Sequence, residues 1–192
     1  MTDIPPPDLS KLHDALDVVC EFLDRAKFPY ALAGGMAVSI WGEPRATYDV
    51  DLVVAADSSE PDDLLVAIRS EPAFFLDPQT LPMPPEMNII RAHLLDKNSS
   101  EPAIILVDLL LLNSVFAASL QARRVAMNVA GRERWVCSCE DLIILKLISG
   151  RVKDLEDVRG ILRVQHGTID MAYVDNWSLR LNCQQNWHTV HG

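Results

Sequence analysis

Three aspartates stand where an ionised side chain is costly. Asp49 and Asp51 interrupt the strand-like run "DVDLVVA", and Asp108 interrupts "AIILVDLLLL", the longest apolar run of the chain. Residues i and i+2 of a strand project from one face, so Asp49 and Asp51 lie side by side with Val50 behind them. Adjacent carboxylates repel, and burying such a pair costs several kcal/mol unless cations or donors compensate. No basic residue lies within either run. A hard divalent cation supplies what they lack. Mg2+ is held by one or two carboxylates plus substrate phosphates, and two such ions about 4 Å apart clamp the attacking and leaving oxygens of a phosphoryl or nucleotidyl transfer. If the strands bearing Asp49/Asp51 and Asp108 are neighbours, the three side chains converge.

Other residue types fit the same chemistry. Gly34 and Gly35, in "YALAGGMAVSIW", fall between a short strand and a helix. There, backbone N–H groups approach a triphosphate closely, with the positive end of the helix dipole behind them. Arg45 and Thr47, in "PRATYDVD", either bind phosphate or orient the acids by hydrogen bonds within the fold. Lys146 is followed by Arg151, Lys153, Asp154 and Asp157. A Lys on an amphipathic helix ordinarily reaches solvent, and this reading competes with a site role. The five histidines are scattered, with His188 and His191 in a tail expected to fray, and none forms a nucleophile pattern with Cys or Ser. Trp135, Trp177 and Trp187 could stack on a base, although core packing is the default for the first two. Cys20, Cys137, Cys139 and Cys183 lack the paired spacing of a zinc site, so reduced thiols are expected, with Cys137 and Cys139 on an alternating strand.

The elements that must position these residues alternate along the chain. "DLSKLHDALDVVCEFLDRA" places Leu12, Leu16, Val19 and Leu23 at helical spacing after a Pro-rich start. Tyr30 to Ala33 is a short strand, the glycines open a helix through "MAVSIW", and "DVDLVVA" is the next strand. "PDDLLVAIRS" reads as a helix and "DPQTLPMPPEM" as an irregular Pro-rich connection. "NIIRAHLL" and "AIILVDLLLL" follow as strands, the second apolar enough to be central. "NSVFAASLQAR" is helical, and "RVAMNVAG" with "RERWVCS" forms a hairpin turning near Gly131. Three helices are expected beyond Cys139, in "EDLIILKLISG", "KDLEDVRGILRVQ" and "IDMAYVDNWSLRL".

At 192 residues the chain suits one domain with a substantial core, residues 1–192, divided into a core of about 8–130 and a helical part of about 139–182. It has no uncharged apolar run of about 18 residues and no basic-then-apolar start, so a cytoplasmic location is expected without membrane association. The net charge of −10 argues against indiscriminate nucleic-acid binding. That charge is unevenly spread. Residues 1–120 hold 7 basic and 19 acidic side chains, whereas residues 121–192 hold 10 and 8, so a phosphate-rich partner should prefer the Arg-bearing C-terminal third.

Gly34-Gly35, thirteen intervening residues, Asp49-x-Asp51 and a later strand acid, Asp108, resemble the signature of the DNA polymerase β-like nucleotidyltransferase superfamily. "GGMAVSIWGEPRATYDVDLVV" with "EDLIILKLISGRVKDLEDV" looks more closely like its small bacterial members, the AbiEii-type toxins and related proteins; the resemblance covers roughly residues 28–165. It implies an α+β nucleotidyltransferase fold, a mixed central sheet flanked by helices with a C-terminal helical segment. It also implies Mg2+ or Mn2+ dependence and transfer of a nucleoside monophosphate from an NTP to an acceptor hydroxyl. Asp49, Asp51 and Asp108 would hold metal, with Asp108 helping to activate the acceptor through the shared ion. Gly34, Gly35, Arg45, Thr47 and Lys146 would serve the nucleotide. Many members have Ser where this chain has Gly35, so a hydroxyl contact to phosphate is missing. The implied acceptor is a tRNA or other RNA end in a toxin–antitoxin setting, with a cognate antitoxin as partner protein. A small, antibiotic-type acceptor and a silent binding partner that has lost turnover are the alternatives.

Overall fold

Helix α1 (Leu9–Ala26) begins where Asp8 accepts the Ser10 N–H and ends at Lys27, whose left-handed backbone closes the last turn. Its buried face carries Leu12, Leu16, Val19 and Leu23, each worth roughly 1.5–3 kcal/mol of apolar burial, and it packs on the strands that bear the aspartates. The computed structural model describes residues 8–55, 60–77, 87–96, 103–112 and 115–191. After α1 come β1 (Tyr30–Leu32), α2 (Gly34–Trp41), β2 (Asp49–Ala55), α3 (Glu60–Ser70), β3 (Phe74–Leu76), β4 (Met87–Asp96) and β5 (Ala103–Leu112). Then follow α4 (Val115–Arg123), β6 (Val125–Val129), β7 (Arg132–Val136), α5 (Cys139–Ser149), α6 (Val152–Val164), α7 (Met171–Arg180) and α8 (Gln184–His191).

The strands form one mixed sheet in the order β3-β4-β5-β2-β1-β7-β6. β2 runs parallel to β5 and β1 parallel to β7, while the other neighbours are antiparallel. The expected adjacency of the two acid-bearing strands is therefore present. As expected of a central strand, β5 has neighbours on both edges and buries Val107, Leu109, Leu111 and Leu112. Helices α5 to α8 pack on one another, and α5 and α6 also pack on α2. None of the described helices is long and apolar enough to cross a membrane.

Several local expectations need correction. The tail expected to fray forms α8 instead. Its Trp187 is fully buried, and the indole N–H donates to Asp175 at 2.5 Å, so this ring packs in the core and does not offer a stacking surface. Trp135 is 39% exposed beneath the Arg124 guanidinium, whereas Trp177 packs as expected. Cys137 follows β7 and Cys139 opens α5, with Ser138 between them as the N-cap, so the two do not share a strand. All four cysteines are free and buried. The three-residue β3 was not anticipated, being too short to show a period. The Pro-rich connection at "DPQTLPMPPEM" lies largely outside the described residues.

Candidate functional site

Sheet register builds the site. β1 pairs antiparallel with β2, Leu32 opposite Leu52, so the chain leaving β1 passes directly beside Asp51, and the Ala33 N–H donates to the Asp51 carbonyl at 2.9 Å. Helix α2 must start there, in very little space. Gly34 has φ +56°, and a Cβ on it would lie 1.8 Å from the Asp51 carboxylate; a Cβ on Gly35 would lie 2.4 Å from the Thr47 hydroxyl. Glycine at both positions is thus required by the acids and their support, in addition to any ligand. The Gly35 N–H donates to the Asp51 carboxylate, and no side chain caps the start of the helix.

Across the other edge of β2, Asp51 stands opposite Asp108 of β5, and Asp108 in turn stands opposite Arg91 of β4. The three residues form one row over three strands. The Arg91 guanidinium grips Asp108 with both prongs, Nε to Oδ1 at 2.8 Å and Nη2 to Oδ2 at 2.6 Å. Asp49, two residues from Asp51, accepts the Thr47 hydroxyl at 2.6 Å. These groups floor a cavity of about 550 Å3 whose apolar wall includes Ile89, Leu110, Leu142 and Leu145.

Opposite this floor, α5 and α6 supply a second group of charges. Lys146 is buried, with Nζ 2.8 Å from Asp154 and 2.9 Å from Asp157. Asp157 also receives the Arg45 fork, at 2.7 and 2.9 Å. Asp154 accepts from Ser149 at 2.7 Å and from Arg151 at 2.6 Å. Arg151 and Lys153 are exposed at the rim, and Lys153 forms no ion pair with a described residue.

Asp51 and the pair Asp154 and Asp157 are shifted in opposite directions. Burial, then the charges of Asp49 and Asp108, push Asp51 up to about 7; Lys146 and the Gly35 N–H only partly oppose this. Burial alone would raise Asp154 and Asp157 as well. Bonds from Arg151, Lys146 and Ser149 outweigh it at Asp154, as those from Arg45 and Lys146 do at Asp157, and both are held below the usual carboxylate range.

Of the residues singled out from sequence, Gly34, Gly35, Arg45, Asp49, Asp51, Asp108 and Lys146 all line the one cavity. Thr47 does not line it and supports Asp49 from behind. The cations of Arg45 and Lys146 are already engaged by Asp157 and Asp154. Arg91 was missed, although a lone Arg inside the apolar strand "NIIRAHLL" is the counterpart of a lone Asp inside "AIILVDLLLL".

No protein-family model and no curated protein matches the sequence. The structure is nevertheless similar over nearly its whole length to solved ones. An antigenic nucleotidyltransferase-like protein from Paracoccidioides brasiliensis is 20% identical, with 95% of this chain and 94% of that one covered and a TM-score of 0.53. The antibiotic-resistance factor ANT(2″)-Ia is 14% identical, covering 95% and 99%, with a TM-score of 0.59. The lincosamide antibiotic adenylyltransferase LnuA is 15% identical, covering 83% and 99%, with a TM-score of 0.50. The chain has the nucleotidyltransferase fold.

This fold implies a divalent cation, and the donor set here fits one. Asp49 and Asp51 share a face, and Asp51 carries repulsion that a cation would relieve. Asp108 contributes to that repulsion, but both its oxygens are bonded by Arg91. Among the described residues, no group of three or more His, Cys, Asp or Glu side chains is arranged around one ion.

Proposed function

We propose that the protein is a metal-dependent nucleotidyltransferase that moves a nucleoside monophosphate from an NTP to an acceptor hydroxyl. The observation that supports this most is the under-compensated pair Asp49 and Asp51 beside the Gly34–Gly35 helix start, in a cavity of about 550 Å3 that suits a small-molecule ligand. Asp49 and Asp51 would hold Mg2+ or Mn2+, which would supply positive charge to the α-phosphate and leaving group. Gly34 and Gly35 admit the triphosphate to the open start of α2, and Lys153, which has no ion pair among the described residues, meets its outer phosphates at the rim. The acceptor oxygen bonds the α-phosphorus as the bond to pyrophosphate breaks, and the acceptor proton passes to a site carboxylate or water. Arg45 and Lys146, tied to Asp157 and Asp154, fix the α5–α6 wall against β2 and so set the width of the cavity.

An RNA acceptor, with or without an antitoxin partner, would have to enter over Arg151 and Lys153. A small hydroxylic acceptor is the second reading, favoured by the fate of the C-terminal arginines. Arg132 and Arg134 are paired with Asp17, Arg163 with Glu43 and Arg159 with Glu156, so the surplus of positive charge is largely spent on internal ion pairs. The test is incubation with each α-labelled NTP and Mg2+ or Mn2+, in parallel with total RNA and with a panel of polyhydroxylated small molecules. Label is expected on one acceptor class. Absence of product in every arm, together with no metal–NTP binding at millimolar concentration by calorimetry, would reject the enzymatic reading.

A further inference from the structure

Arg91 is not explained by the readings above. It lies mid-strand in β4, directly across from Asp108, at the end of the row Asp51, Asp108, Arg91. Its fork bonds both carboxylate oxygens of a side chain that is only 7% exposed. Asp77, at the end of β3, and Asp49 add to the attraction that holds the guanidinium there. A bidentate Arg–carboxylate pair of this kind is rigid, and removing one partner would leave the other buried and unbalanced. A divalent ion shared between Asp51 and Asp108 would have to share an Asp108 oxygen with Arg91 and sit against its guanidinium charge.

We propose that Arg91 stands in for a second cation: the site takes a single divalent ion, on Asp49 and Asp51, while Asp108 stays bonded to Arg91 and is a positioning residue, not a metal ligand. This rests on the metal-dependent reading above and narrows it. The guanidinium neutralises Asp108 permanently, with no dependence on ion concentration. It also fixes the Asp108 side chain by two bonds, so the part of the cavity floor beside Ile89 and Leu110 keeps its shape whether or not metal is bound.

The experiment counts ions directly. Bound Mn2+ per chain is titrated by electron paramagnetic resonance on the full-length protein, with a non-hydrolysable α,β-methylene NTP present. One ion is expected for the wild type and for Arg91→Lys, which keeps a positive charge. Two ions are expected for Arg91→Gln, in which Asp108 becomes free. Asp108→Asn, tested with Arg91 intact, is expected to leave the affinity for the single ion within about threefold, which keeps the proposal falsifiable should Arg91→Gln fail to fold. Two ions in the wild type, one ion in a folded Arg91→Gln, or a more than tenfold loss of affinity in Asp108→Asn would each overturn the inference alone. No bound ion in the wild type would overturn the functional reading and this inference with it.

Discussion

Asp49 with Asp51, and Asp154 with Asp157, are two acid pairs of opposite electrostatics, the first lining the cavity and the second reaching it only through Asp154. The second pair has three cations, Lys146, Arg45 and Arg151, with bond lengths of 2.6–2.9 Å, and both carboxyls are easier to ionise than usual. The first pair has the Thr47 hydroxyl and one backbone N–H, and Asp51 is pushed up to about 7. Carboxylates in themselves therefore do not mark a binding site. What distinguishes the β2 pair is a charge with no ion-pair partner among the described residues, next to open volume. The α6 pair is a fastener, joining α5, α6 and the segment before β2.

The largest effect should come from turning the fastener into a second uncompensated pair. Lys146→Met removes the cation common to Asp154 and Asp157 in a nearly dry position, and breaking such a pair costs about 3–5 kcal/mol. Remaining bonds from Arg151, Ser149 and Arg45 place the expected loss near the lower end, about 3 kcal/mol, read from the urea midpoint at pH 8. A change below about 1 kcal/mol would mean that Lys146 does not hold the wall, since that is within the range of an exposed pair. Asp51→Asn makes the converse change. The shape and the acceptor for the Gly35 N–H are kept while one repelling charge is lost, so the apo protein should unfold no more easily. Transfer should fall by about 100-fold or more, because a metal's stabilisation of transition-state charge is worth several kcal/mol. Unfolding of this variant would show that Asp51 is structural.

The comparison can be sharpened by pH without any substitution. Asp51 has a folded pKa of about 7, above its ordinary value of 3.8, so the stability it contributes is fully present below about pH 4 and lost as pH rises through 7. Asp154 and Asp157 are shifted down, so theirs is present above about pH 4 and lost as pH falls below it. The metal-free protein should thus be most stable near pH 4 and lose roughly 2 kcal/mol between about pH 4 and 7, with little further change from this group above that. That is about half of what ~1.4 kcal/mol per unit would give, because Asp51 as a residue is not fully buried and water reaches it to screen part of the charge. Saturating Mn2+ should abolish this loss, since the ion binds the ionised form, with proton release seen as a buffer-dependent calorimetric heat. Metal-free stability that is flat from pH 5 to 8 would contradict the uncompensated charge.

Much of this arrangement is legible in the chain because charges inside apolar strands are rare and strand alternation is strict. Asp49 and Asp51 had to share a face, and Asp108 had to lie in a central strand. Which strand lies beyond Asp108 depends on sheet order and register, and neither follows from a local pattern. Arg91 becomes the partner of Asp108 only once β4 is placed against β5. Lys146 misleads for a similar reason, since its amphipathic helix does not reveal that two acids on the next helix will bury it. Helix α8 was missed because its polar sequence has little period of its own. It is held by tertiary contacts, among them Trp187 and the Asn186 amide donating to the Leu147 carbonyl at 2.8 Å.

The smallest effect separates the two rim cations. Arg151 is bonded to Asp154, so part of its charge is already used, whereas Lys153, at the other end of the same turn, has no such bond among the described residues. An exposed Lys meeting a triphosphate keeps its solvation and gains on the order of 1 kcal/mol, so Lys153→Ala should weaken metal–NTP binding about fivefold, with Arg151→Ala weaker still in effect. The Lys153 effect should shrink between 0.05 and 0.5 M salt, on the order of the Debye-length change from about 13 to 4 Å. For a small neutral acceptor the KM should not move, because no phosphate of the acceptor depends on that charge. An RNA acceptor should instead lose affinity in both variants, each by a similar factor, since its backbone would cross the whole rim. Equal, salt-independent losses of NTP affinity in Lys153→Ala and Arg151→Ala would show that the bond to Asp154 leaves Arg151 free to bind phosphate, and the contrast between paired and unpaired charges would fail at the rim.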